Sequence, residues 1–172
     1  MAWIEIASLD APTAGAFTFA VLDLSTYKRV RLIIADVTVT TDGTDPRLTF
    51  YIGGVEIVAG YAWAYDSISS SSTFNTDSAS GAVAILLTGN DGNWDVGNAA
   101  AESFGAIIDV PHPASVALYK RAFVNSYEIG PTGQSFRNGG VGKLDNAGAI
   151  DGFKISGTSN LTAGRVRILG LT

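Results

Sequence analysis

Apolar residues recur at every second position along most of this chain, and almost nowhere at every third or fourth. In "RVRILGL", Val166 and Ile168 fall on one side of an extended backbone and Arg165 and Arg167 on the other. "RLTFYIGG" sets Leu48, Phe50 and Ile52 against Arg47, Thr49 and Tyr51, and "YKRVRLIIADVTV" sets Val30, Leu32 and Ile34 against Arg29 and Arg31. Such spacing gives a strand one apolar face, whereas a helix would scatter the same residues around its axis.

"AFTFAV", "YAWAYD", "GAVAILL", "FGAIIDV" and "SVALYKRAFV" are further strand candidates, rich in β-branched or aromatic residues. Between them lie "TTDGTDP", "IGG", "TGNDGN", "PHP", "GPTGQ", "RNGG" and "SGTSN", which carry the Gly, Pro, Asn and Asp of chain reversals. "GNAAAESF" is the single helical suggestion, one turn capped by Asn98 with Glu102 inside it. No amphipathic segment of helical length separates the strands, which excludes parallel βαβ units. The expected fold is all-β, an antiparallel two-sheet β-sandwich.

Residues 66–81, "DSISSSSTFNTDSASG", are too polar to pack and read as an exposed, mobile loop. No repeat and no linker divides the chain, so residues 1–172 are expected to form a single β-sandwich domain.

Charged residues make up 16% of the chain, against about 25% in ordinary soluble domains, while hydrophobic residues reach 47%. A chain so sparing of charge hides much of its surface, in a core or between subunits, and an oligomer is expected. The net charge of −5 lacks the basic footprint of a nucleic-acid binder. There is no cysteine, hence no disulfide and no thiolate metal site. Neither a basic-then-apolar leader in residues 1–24 nor an apolar run of roughly 18 residues is present, so no membrane association is expected.

The chemistry-bearing candidates give way to plainer readings. His112, the single histidine, sits between prolines in "VPHPAS" and reads as a loop residue at a strand end. One histidine cannot make a zinc site. "GNDGNWD", residues 89–95, gathers oxygen ligands but lacks the acidic register of an EF-hand, and a hairpin turn wants the same residues. "GGVGKL", residues 139–144, is no phosphate loop, because Arg137 stands where the first Gly belongs and Leu144 where Ser or Thr belongs. Asn160 in "NLT" matches a glycosylation acceptor by chance, and the acidic residues sit mostly in turns. No catalytic, cofactor-binding or metal-binding residue is therefore assigned, and an enzyme is not expected. Tyr61, Trp63 and Tyr65 would share one strand face, read first as core or subunit interface and second as a ligand platform.

Taken in sequence, "AWIEIASLDAPTAGAFTF", "LSTYKRVRLIIADVTVTTDGTDPRLTFYIGG", the "GAIIDV" strand running into Pro111, and "IDGFKISGTSNLTAGRVRILGL" resemble a jelly-roll-type virion surface protein family of tailed bacteriophages. Members often close on a pattern of Gly, polar turn and "sGtirlyGl". Arg165, Ile168, Gly170 and Leu171 stand in comparable positions, with Leu169 where an aromatic is usual. The resemblance covers most of the chain, least over residues 66–100, and transfers no active-site residue. It implies a virion structural protein of jelly-roll type on the virion surface. The first expectation is a capsid decoration (cement) protein, a homotrimer bound to the major capsid protein or other virion proteins. The runner-up is a tail-fibre or receptor-binding module whose "YAWAY" rings and 66–81 loop meet host surface glycans.

Overall fold

The period-two pattern resolves into two stacked antiparallel sheets. The structure is a computed structural model and describes residues 2–88 and 95–172. The larger sheet contains β1 (Trp3–Leu9), β3 (Arg29–Val39), β6 (Tyr61–Ser69), β7 (Phe74–Ala82), β9 (Phe104–Pro111), β10 (Lys120–Ile129), β11 (Ser135–Leu144) and β13 (Leu161–Leu171). Its order is β1-β13-β3-β9-β10-β11-β6-β7. The smaller sheet contains β2 (Phe17–Phe19), β4 (Pro46–Ile52), β5 (Val55–Glu56), β8 (Ile85–Leu86) and β12 (Ile150–Gly157), ordered β2-β12-β4-β5 with β8 also paired to β4. The described residues contain no helix. The chain is an all-β antiparallel sandwich.

The residues that alternation assigns to the interior are there. Val30, Leu32, Ile34, Leu48, Phe50, Val166 and Ile168 are each no more than 2% exposed and belong to one cluster filling the space between the sheets. Tyr61 ties the sheets together at its tip, where its hydroxyl accepts from the Phe50 N–H at 2.9 Å and donates to the Ile57 carbonyl at 3.0 Å. The closing strand β13 is held on both sides, by β1 and by β3.

Five stretches depart from expectation. Residues 66–81 are no loop: β6 runs on to Ser69 and β7 returns antiparallel beside it, with Ile68 opposite Phe74 and Asp66 opposite Thr76. Ser, Thr and Ala there alternate in exposure without alternating strongly in hydropathy, because β7 is an edge strand with little core to cover. "RNGG" is no turn either but the middle of β11. Gly140 and Gly142 leave backbone room for the Tyr65 and Ile85 side chains, whose atoms lie where a Cβ would stand. "IDGFKISG" forms β12 and "WIEIASL" forms β1, both beyond the strand candidates named above. Finally, the "GNAAAESF" turn never becomes a helix. The Glu102 carboxylate accepts from the Ala99 N–H at 2.6 Å, and the Asn98 side chain instead donates to the Thr40 carbonyl.

Candidate functional site

Every strand of the larger sheet runs between the same two ends, and those ends differ. At one end lie segments 20–28, 53–54, 112–119 and 145–149. They are laced together by the Leu22 N–H donating to the Asp151 carbonyl, the Gly54 N–H to Asp151 Oδ2, and the Ile150 N–H to the Pro113 carbonyl. Val21, Val55, Val58, Val116, Leu118 and Tyr119 are exposed at this end, from 55% to 77%. The opposite end carries turns 10–16, 40–45, 70–73, 130–134 and 158–160, none of which exposes a large apolar side chain. Among the described residues the loops are thus polarised along the strands, apolar at one pole and polar at the other, where Ile68 and Phe74 on the adjoining strand ends are exposed.

His112 lies at the apolar pole, as the loop position predicted. Its N–H donates to the Lys28 carbonyl at 2.8 Å and its φ is +48°. It lines a small pocket of about 260 Å³ with Pro111, Leu118, Tyr119 and Arg121. Its ring enters no hydrogen bond or ion pair among the described residues. The described residues hold no cluster of three or more metal-ligating side chains. The oxygen-rich stretch 89–95 lies outside the described residues except for Asp95.

Tyr61, Trp63 and Tyr65 do share a face, but it is the inner one. Exposures of 0%, 5% and 3% remove them as a ligand platform, and burial pushes the Tyr61 hydroxyl up to about 12 and Tyr65 higher still. A core this aromatic leaves no ring of that strand for a sugar.

The outer face of the larger sheet shows what sequence reasoning passed over. Cross-strand register sets Phe123, Val141 and Ala64 in one row, Asn125, Gly139 and Asp66 in the next, and Tyr127, Arg137 and Ile68 in the third. Over β3, β9 and β10 the face mixes apolar and charged side chains: Ile107 and Phe123, near half-exposed, and Ile33 stand beside the Arg31–Asp109 ion pair and Arg121. Over β11, β6 and β7 the face sinks into an open groove in two lobes of about 540 and 310 Å³, which share Asp66 and Gly139. The signal available in the sequence was "NGGVG" beside "AWAYD", which alternation alone could not place on adjacent strands.

A network of polar groups is buried inside instead of being offered to solvent. Glu128, 1% exposed, receives both of its hydrogen bonds from the Asn138 amide, at 2.9 and 2.8 Å. Asn138 also reaches Ser126 Oγ at 3.1 Å, which donates in turn to the Leu87 carbonyl at 2.5 Å. Burial raises the Glu128 carboxyl to about 8; the Asn138 amide pulls it down and the Asp95 charge pushes it up.

No protein-family model, curated protein or solved structure matches the chain. Fold and surface together define an antiparallel β-sandwich with a polarised surface.

Proposed function

We propose that this chain is a bacteriophage virion structural protein of the jelly-roll type, a capsid decoration (cement) protein that stands on the head surface by its apolar pole. The apolar pole carries this reading. Six exposed large side chains gathered at one end, four of them on hydrogen-bonded loops, suit a base docked on the major capsid protein, while the polar turns at the other end suit water. The sequence resemblance supports the same class. In this reading the subunits form a homotrimer, meeting over the outer face around Ile33, Ile107 and Phe123.

Location on the particle tests the proposal. Cryo-EM of virions carrying a tagged chain is expected to show density on the shell, and Val116→Asp with Leu118→Asp is expected to abolish it while leaving the circular dichroism spectrum unchanged. Density at the tail tip would replace decoration by a fibre-head role. Shell occupancy that survives the double substitution would remove the pole as the base.

A further inference from the structure

On β11, Gly139 faces outward with nothing but Asn125 Oδ1, at 3.8 Å, near the place a Cβ would occupy. The missing side chain leaves a floor of bare backbone between Asn125 on β10 and Asp66 on β6, its direct cross-strand neighbours. Arg137 lines the smaller lobe and Phe74, 64% exposed, stands beside it with Ile68. Ala64 and Val141 line the larger lobe, with Thr76 and Ser78 on the β7 side.

The side chains around this floor are uncommitted. Asp66, Asn125 and Arg137 enter no hydrogen bond or ion pair among the described residues. A carboxylate, an amide and a guanidinium are planar groups that can each engage two neighbouring hydroxyls, as acceptor, mixed partner and donor. Beside them an exposed ring and aliphatic walls offer a surface for the C–H face of a ring-shaped ligand. The two lobes match the size of small-ligand clefts, roughly 300–1,000 Å³. A nucleotide would bring phosphate charge against Asp66, which disfavours it. A polyhydroxylated, uncharged ring answers both halves of the lining.

We propose that the groove over Gly139 is a saccharide-binding site for neutral pyranose units, with Asp66, Asn125 and Arg137 taking the hydroxyls and Phe74 packing against a ring face. It lies on the sheet flank, apart from the apolar pole assigned to docking, so the two functions are separable. The site takes the place of the buried "YAWAY" rings as the surface where a glycan would meet this chain.

The full-length chain is to be applied to an array of neutral and acidic oligosaccharides, and neutral ones retained are then titrated calorimetrically. Gly139→Val fills the floor in a strand where space is open and φ is not positive, and it is expected to abolish binding with an unchanged melting temperature. Asp66→Ala with Asn125→Ala keeps the test sound should the valine disturb folding. Loss of two hydrogen-bonding groups is expected to weaken binding about ten-fold or more. No retention of any neutral oligosaccharide, a preference for acidic ones, or binding indifferent to both variants would overturn the site. Shell attachment of Gly139→Val particles should remain normal, which separates failure of this site from failure of the docking pole.

Discussion

Glu128 is a carboxyl enclosed by the sandwich, and its position makes stability depend on pH in a definite direction. Its folded value, about 8, lies above the ordinary value of 4.5, so the folded state holds the proton more tightly than the unfolded state. The native state is therefore favoured by this group below pH 4.5 and loses that advantage as pH rises to about 8. The span corresponds to roughly 5 kcal/mol at 1.36 kcal/mol per unit. Among the described residues, Asn138 faces it, in turn bonded to Ser126, and the Asp95 charge opposes its ionisation further. Glu128→Gln keeps an oxygen for the Asn138 amide and removes the titration. Denaturant unfolding at pH 5 and pH 9 should show the variant gaining several kcal/mol on the parent at the higher pH. A pH-independent difference would mean that Glu128 ionises freely inside the fold.

Among the elements, β13 bears most on whether the sandwich stands. It lies between β1 and β3, buries Val166 and Ile168 completely, and presents Leu169 and Leu171 half-buried. Two wholly buried aliphatic side chains contribute about 3–6 kcal/mol before the hydrogen-bond ladder is counted, against a total domain stability of about 5–15 kcal/mol. Deleting residues 165–172 is thus expected to give insoluble or unfolded protein. Arg165 and Arg167 behave differently. Their pairs with Asp36 at 3.5 Å and Glu5 at 3.8 Å are solvent-exposed and long, and such pairs are worth about 0–1 kcal/mol. Their joint replacement by Ala should leave the melting temperature within a few degrees; a soluble, cooperatively folding truncation would show β13 to be dispensable.

At the scale of the whole molecule, low charge and the exposed Ile107 and Phe123 on the outer face of β9 and β10 fit subunits that bury surface against one another. Multi-angle light scattering of the purified chain is expected to give the mass of a trimer, and Phe123→Glu with Ile107→Glu the mass of a monomer. A parent chain that is monomeric at micromolar concentration would detach composition from assembly and leave the low charge to the core alone.

Alternation by itself determined that the chain is all-β and which side of β3, β4 and β13 faces the core, because period two is a local property that each strand carries alone. Gly, Asp and Pro clusters likewise marked the reversals at 40–46, 52–54, 130–134 and 156–160. Where strands are polar or glycine-rich the local signal fails. β7 is written in Ser and Thr and β11 in Gly, since one sits at an edge and the other yields room to Tyr65 and Ile85. Only the tertiary structure decided that Tyr61, Trp63 and Tyr65 turn inward, because either face of that strand could have met the second sheet. Only it set Asn125, Gly139 and Asp66 side by side, on strands joined across turns and up to 73 positions apart (139 − 66). Pairing register is a long-range choice, made by hydrogen bonds and core contacts between segments that carry no mark of one another.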